Sequence, residues 1–263
     1  MPLVSVVGWP VVLASLSLVI LAVGLSRWLR LGVERDMIIA SIRAAVQLLA
    51  VGVVFAAIFR SDQAWLWSWV WVVFMALVAT RVVVRRAEHT IRNLALVAGL
   101  AVFGSAAISI AITFGLGALD YDPVALVVIA GITIGNAVPS AVLAAKQSMM
   151  LCRDHLGDLE AGLALGFTRR DAARFMAPRA AKAAMITRIE RTKVVGLIAL
   201  PGAMTGLLLA GVDPIEAVAV QLLVMYLILG TAAVCVVAVV SAVTNAAVTD
   251  DLRAADWTKV PAS

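Results

Sequence analysis

Long uninterrupted apolar runs are the feature that most constrains the fold of this chain. Of its 263 residues, 63% are hydrophobic and the mean hydropathy is +1.05, whereas soluble domains are about 45–50% apolar. Runs of about 18 apolar residues or more are long enough to cross a bilayer as helices. The residue-by-residue alternation of membrane β-strands is absent. Because a segment inside lipid must satisfy its own backbone hydrogen bonds, we predict an all-α polytopic membrane protein.

About seven segments are predicted to cross the membrane, within a single permease-like domain of residues 1–250 that is followed by a tail, 251–263. The first basic residue is Arg27, so the first apolar run lacks the charged start of a secretion signal and is read as a retained helix. A hydrophilic segment of about 150–190, here called the insert, separates the fifth and sixth spans. The predicted spans are 4–26, 38–59, 64–84, 94–118, 124–148, 194–212 and 215–243.

The charges of the loops predict the orientation of the chain. Of the 21 Lys and Arg residues, only Arg60 falls in the short acidic loops, which read "RSDQ", "LDYDP" and "GVDP". By the positive-inside rule the basic loops and the insert are cytoplasmic. Seven spans then place the N-terminus outside and the C-terminus in the cytoplasm of a plasma or inner membrane. The net charge of +5 thus reflects topology and contact with the bilayer, and we predict no nucleic-acid partner.

The insert has the pattern of two helices joined by a tight turn. Leu156, Leu159 and Leu163 recur at helical spacing, and Gly166 is a helix stop. Thr168 and Asp171 then form a capping box that begins a second helix. Two interpretations stay open, namely an amphipathic helix lying on the membrane and a docking element for a cytoplasmic partner.

The stretch "EAGLALGFT" resembles the EAA-type coupling loop of ABC-transporter permeases. The matching positions are Glu160, Ala161, Gly162 and Gly166; the third departs from the usual alanine, and the proline expected further on stands about one residue early, at Pro178. The resemblance implies that this loop sits in a groove of an ATPase subunit. The candidate residues for coupling to the ATPase are Glu160, Ala161, Gly162, Gly166, Thr168 and Asp171.

A wider resemblance covers most of the chain. The stretches "SIRAAVQL", "GITIGNAVPSA", "ALGFT" and "TKVVGLIALPGAMTGLLLAGVDPIEAVAVQ" are similar to the FetB-type (UPF0014) permease family, which includes bacterial iron exporters and plant aluminium-tolerance permeases. The resemblance implies a permease subunit of an ABC exporter for iron or another metal, working as a homodimer with a separate ATPase. Plant relatives linked to nucleotide sugars make such a substrate the alternative.

The sequence contains no phosphate-binding GxxxxGK[ST] loop, so ATP and Mg²⁺ are expected on the partner chain and no cofactor on this one. Two other classes of function remain as alternatives. A membrane enzyme would need a paired acid and base near the interface, and no His or Cys is so placed. A non-transporting scaffold could use the insert only to bind an ATPase. His89 and His155 lack neighbours at ligand spacing, so no metal site is predicted.

Polar and helix-breaking residues within the predicted spans are candidates for a transport pathway and its gate. Arg43 and Gln47 share a helix face, and Pro139 should disrupt the helix that carries Asn136. Snorkelling of Arg43 and hydrogen bonding between helices are the alternatives. Gly131/Gly135 and Gly202/Gly206 have the spacing of close-packing faces. Candidate pathway residues are Arg43, Gln47, Asn136, Met204, Thr205 and Gln221, and candidate gate or kink residues are Pro139, Pro201, Gly202 and Gly206.

Overall fold

Nine α-helices account for most of the residues that the computed structural model describes, which are 9–86, 91, 94–198 and 200–259. No strand occurs in these ranges beyond an isolated bridge between Val248 and Ala254, so the predicted all-α class is confirmed. The helices are α1 Trp9–Trp28, α2 Glu34–Arg60, α3 Ala64–Arg86, α4 Leu94–Gly115, α5 Pro123–Asp154, α6 Leu156–Ala164, α7 Arg169–Lys193, α8 Gly202–Leu209 and α9 Pro214–Ala246, followed by a 3₁₀ turn, Asp256–Thr258.

Five of these helices, α2, α3, α4, α5 and α9, are long and apolar enough to cross a membrane. The apolar stretch Leu13–Trp28 of α1 is shorter, and residues 4–8 of the predicted first span lie outside the described residues. The chain is therefore a multi-pass membrane protein.

The predicted sixth span, 194–212, is not one continuous helix. It contains only α8, whose eight residues extend about 12 Å, against the roughly 30 Å of a bilayer core. Gly196 and Gly211 both have φ of +85°, and Pro201 cannot donate the backbone hydrogen bond that would continue a helix. The kink that the sequence predicts at Pro201 is thus a break, with α8 beginning at the next residue.

α5 is unbroken, contrary to the disruption predicted at Pro139. It continues through this proline for 32 residues, or about 48 Å. A helix in lipid loses more by unwinding than by losing one backbone donor, because nothing else there can bond the exposed groups. The side chain of Asn136 also bonds within the helix, donating from Nδ2 to the carbonyl of Ile132 at 2.8 Å.

The chain divides into two compact units, Met1–Ala64 with Thr205–Ala217, and Trp65–Met204 with Val218–Ser263. In the first unit, Ser26 Oγ donates to Glu34 Oε1 at 3.0 Å across the turn between α1 and α2. In the second unit, α5 packs against both α4 and α7. The single domain predicted for residues 1–250 stays a prediction.

Small side chains bring α5 and α7 together. Ala137, Ala141 and Ala145 of α5 are buried at four-residue spacing, and Ala180 and Ala184 of α7 are buried in the same cluster. Small residues at this spacing let two helix backbones approach closely. α7, which belongs to the hydrophilic insert, is therefore held against the long apolar helix α5.

The predicted glycine faces pack closely against no other helix within the described part of this chain. A methyl group on Gly135, Gly202 or Gly206 would find no heavy atom within 4 Å, and one on Gly131 would find only Met75 Sδ, at 4.0 Å. The close approach that the sequence assigned to glycines is made by alanines instead.

Residues 247–259, here called the C-terminal clasp, fold back onto the second unit. The Ala255 amide donates to the carbonyl of Ala247 at 2.9 Å, and Trp257 Nε1 donates to the carbonyl of Ala246 at 3.3 Å. The carbonyl of Trp257 accepts from Arg153 Nε at 3.2 Å, which ties the clasp to the end of α5. Much of the predicted tail, 251–263, is thus packed structure, and its last four residues lie outside the described ranges.

Candidate functional sites: the insert and an arginine-lined cavity

The turn between α6 and α7 is fixed by backbone hydrogen bonds. The Phe167 amide donates to the carbonyl of Gly162 at 2.9 Å, and the Gly166 amide donates to that of Leu163 at 3.0 Å. This pair of bonds is a Schellman motif, which needs a left-handed residue just past the helix end. Gly166 supplies it with φ of +93°. The helix stop predicted at Gly166 is confirmed.

The predicted capping box at the start of α7 is also confirmed. Thr168 Oγ1 accepts from the Asp171 amide at 3.4 Å, and Asp171 Oδ2 accepts from the Thr168 amide at 3.0 Å. The Thr168 hydroxyl also donates to Asp171 Oδ2 at 2.6 Å. These bonds, the hydroxyl first and the amide second, lower the pKa of the Asp171 carboxyl below its usual value. The turn is thus rigid at both of its helix ends.

The insert carries an apolar groove between α6 and α7. Leu165 is 82% exposed at its tip, and the rings of Phe167 and Phe175 are exposed beside it. Exposed apolar groups that cluster in this way mark interaction surfaces. The groove encloses about 370 Å³ and is lined by Asp158, Leu159, Ala161, Gly162, Leu165, Phe167, Ala172, Phe175 and Met176.

Two of the predicted coupling residues differ in burial. Glu160 is exposed and forms no ion pair with any residue that the structure describes. Gly162 is buried under Phe167, and a Cβ at this position would lie 2.9 Å from the Cδ2 of that ring. The glycine that departs from the usual alanine of the coupling pattern is thus the residue on which Phe167 rests.

A second cluster lies where α7 meets the middle of α5. Arg188 donates from Nε to Ser140 Oγ and from Nη1 to Asn136 Oδ1, both at 2.9 Å. Its Nη2 donates to the backbone carbonyl of Asn136. A cation and an amide packed at the middle of an apolar helix such as α5 are costly unless they are bonded. Here they satisfy each other.

A small cavity opens beside this cluster. It encloses about 140 Å³ and reaches from α5 and α7 to α9. Gln221, buried on α9, accepts from the backbone amide of Met204 at 3.3 Å and so holds the first turn of α8 at the same place. The cavity is lined by Asn136, Arg188, Arg191, Thr192, Val195, Pro201, Gln221, Met225 and Ile228.

The structure brings together some of the predicted pathway residues and not others. Asn136, Gln221 and Pro201 line the cavity together. Arg43 and Gln47 lie exposed on α2, in the other compact unit, and Thr205, which is half-buried on α8, also belongs to that unit. No group of three or more His, Cys, Asp or Glu residues that could hold a metal ion occurs in the described ranges.

Sequence reasoning missed Arg188. The sequence places Arg188 within the hydrophilic insert of about 150–190, ahead of a sixth span predicted to begin at 194, so this arginine is not among the candidate pathway residues. The signal was the spacing of Ala172, Met176, Ala180 and Ala184, four residues apart and all buried. Continued by one step, that spacing reaches Arg188 and places it on the face of α7 that meets α5.

Several long apolar helices and a hydrophilic helical insert define a multi-pass membrane protein whose described residues carry no metal cluster. A family model described as "Uncharacterised protein family (UPF0014)" matches residues 9–247, and the chain belongs to that family.

Curated relatives share most of the length of this chain. The UPF0014 membrane protein YjkA of Bacillus subtilis is 37% identical over 83% of this chain and 87% of its own length. The UPF0014 membrane protein STAR2 of rice is 34% identical over 84% and 77%, and the probable iron export permease protein FetB of Escherichia coli is 30% identical over 83% and 83%. No solved structure is a significant match.

Proposed function

We propose that this chain is the membrane-spanning permease subunit of an ABC exporter that removes iron or another metal from the cytoplasm. The observation that carries the proposal is the insert, a helix–turn–helix with a fixed turn and an exposed apolar groove. ATP hydrolysis is assigned to a separate ATPase chain. As in related transporters, two copies of the permease would work with two ATPases in a plasma or inner membrane.

The insert has the properties of a docking element. Leu165 and Phe167 are exposed apolar groups of the insert, and the exposed Glu160 carboxylate on α6 forms no ion pair with a described residue. A partner surface that covers these side chains would remove apolar area from water and gain a charge contact at Glu160. Since the turn is capped on both sides, it would transmit force instead of yielding.

A mechanical connection leads from the insert to the cavity. α7 begins at the capping box and packs against α5 through small residues as far as Ala184. One turn later, Arg188 is bonded to Asn136 and Ser140. Closure of an ATPase on the insert would therefore displace α7 and move the wall of the cavity with it.

The relative that is named a probable iron export permease supports iron as the cargo. Inside-out vesicles that contain this chain and its cognate ATPase should accumulate radioactive iron when ATP is supplied. Glu160→Arg, which reverses the exposed charge of the insert, should abolish this uptake. Asp154→Arg is the matched control, because it reverses a charge at the end of α5 outside the coupling motif.

Loss of uptake in Glu160→Arg alone would support both export and docking at the insert. Equal loss in both variants would remove the case for a specific role of Glu160. No iron movement by an assembled complex that still hydrolyses ATP would contradict the metal cargo and leave nucleotide sugars as the next substrates to test. A chain that binds the ATPase without stimulating it or transporting anything would be a scaffold.

A further inference from the structure

The cavity between α5, α7 and α9 carries positive charge that the iron cargo does not explain. Arg188 and Arg191 both line it, and they are three residues apart on α7 and so share one helix face. Within the described residues, no Asp or Glu lines the cavity and neither arginine forms an ion pair. A free metal cation would be repelled here.

The cavity adjoins the part of α5 that is predicted to lie within the membrane, where unpaired charge is costly. Asn136 follows the first residue of α5, Pro123, by 13 positions, or about 20 Å along the helix, inside the roughly 30 Å of a bilayer core. Arginines in such a place are rare and face a pathway or a partner of opposite charge. The described part of the chain does not supply that partner.

Arg188 retains hydrogen-bond donors for an additional group. Its bonds to Ser140 and Asn136 use three N–H donors, and a guanidinium has five, so two remain. Arg191 retains its full set of N–H donors. The Thr192 hydroxyl donates to the carbonyl of Arg188 at 2.9 Å, and its oxygen can still accept a hydrogen bond. Guanidinium groups match the geometry of carboxylate and phosphate oxygens and bind them through paired hydrogen bonds.

We propose that this cavity binds an oxyanion group, a phosphate or a carboxylate, of the exported molecule through Arg188 and Arg191. The proposal deepens the exporter function and rests on it, since the cavity is taken as part of the export pathway. Iron would then leave as a negatively charged complex with an oxyanion ligand, not as a bare cation.

The size of the cavity limits how much of a ligand it can hold. Its volume of about 140 Å³ exceeds that of a single water, about 30 Å³, and falls below the roughly 300 Å³ at which pockets for whole drug-sized ligands begin. One phosphate or carboxylate group fits, and the rest of a larger ligand would extend beyond the cavity.

Calorimetry on the purified full-length permease in lipid nanodiscs tests this without the ATPase. Pyrophosphate, citrate and Fe²⁺ are titrated separately. We expect pyrophosphate or citrate to bind, and Arg191→Gln to weaken that binding at least tenfold, with partial recovery in Arg191→Lys. Which of the two binds tells phosphate from carboxylate. Lys193→Gln is the matched control, because it removes a positive charge at the same helix end outside the cavity and should change binding less than twofold.

Three results would overturn the proposal: no binding of either oxyanion to the unaltered chain, binding that Arg191→Gln leaves unchanged, or equal loss in Lys193→Gln. Thermal unfolding of each variant confirms that it is folded. The assay also separates this proposal from the exporter function. Arg191-dependent binding without ATP-driven transport would contradict only the exporter, and transport without oxyanion binding would contradict only the oxyanion site.

Discussion

Gly162 has two roles in the insert. Its carbonyl accepts the hydrogen bond that closes the turn, and its lack of a side chain leaves room for the Phe167 ring. In Gly162→Ala the new methyl group should push the exposed ring out of the groove, while alanine favours the helix by about 1 kcal/mol. We expect unchanged or slightly higher thermal stability together with weaker co-purification of the ATPase. Gly157→Ala is the control, because open space surrounds that position on the same helix.

The two measurements locate the effect of this substitution. A large loss of stability in Gly162→Ala would show that Phe167 cannot move and that the ring is part of the packed structure. Unchanged co-purification in a stable variant would show that the ATPase does not contact the groove.

Asp171 should make the start of α7 sensitive to acid. Its folded-state pKa is lowered by the bonds from Thr168, so its stabilising contribution is complete above the unfolded pKa, near 3.8, and is lost as pH falls through the lower folded value. Hydrogen exchange at the amides of residues 168–172, corrected for intrinsic rates, should show protection that is constant from pH 7 to about 5 and declines below pH 4. Asp171→Ala should show weaker protection without this decline; a decline of the same size in the variant would contradict the assignment.

At the scale of residues, the sequence predicts only those roles that depend on near neighbours in the chain. Gly166, Thr168 and Asp171 act through neighbours within a few positions, so their roles are readable from spacing. Arg188 and Asn136 are 52 positions apart, and no short-range pattern connects them. Their contact depends on how far α7 continues and on which face it turns toward α5, and both are set by packing.

At the scale of elements, the C-terminal clasp connects three parts of the second unit. It touches α5 through Arg153 and α9 through Ala246, and Asp250 pairs with Arg169 at the first residue of α7 at 2.8 Å. The family model ends at residue 247, the first residue of the clasp. From the sequence, residues 251–263 are predicted only as a tail, because the contacts of the clasp are made with distant parts of the chain.

Trp257 should be the anchor of the clasp, since it is only 8% exposed. Trp257→Ala removes a large buried ring, a change that costs about 3–5 kcal/mol in protein cores. We expect faster proteolysis within residues 247–259 and little change in the unfolding of the membrane-spanning helices. Lys259→Ala, at an exposed pair with Asp256, should leave the proteolysis rate unchanged. If Trp257→Ala is as resistant as the unaltered chain, the clasp is held by its backbone bonds and not by the ring.

The sixth span shows what hydropathy alone does not determine. The sequence from 194 to 212 is apolar enough for a span. Apolar content alone, however, does not distinguish one continuous helix from an eight-residue helix with a turn at each end. The break arises at particular positions, Gly196, Pro201 and Gly211. It is also favoured by the hydrogen bond that Gln221 of α9 accepts from a backbone amide of α8. Conversely, Pro139 lies in α5 without breaking it, because a long helix in lipid has no better place for its backbone groups.

At the scale of the whole molecule, the predicted orientation can be tested by labelling. Cys152 and Cys235 are both buried and free, so they should give little background. Single cysteines at Asp62, Asp120 and Asp213 should react with a membrane-impermeant maleimide added to intact cells, because these loops are predicted to face outward. A cysteine at Glu160 should react only after permeabilisation. Labelling of position 160 in intact cells would overturn both the orientation and docking of a cytoplasmic ATPase there.

The clasp also sets an order of events during synthesis. Its residues emerge from the ribosome after α9, whereas the insert that it fastens at Arg169 was made more than 50 residues earlier. Through that interval α6 and α7 are without the support that Asp250 and Trp257 later give to the ends of α5 and α7. The start of α7 is thus fastened by Asp250 only after the last helix of the chain has been made.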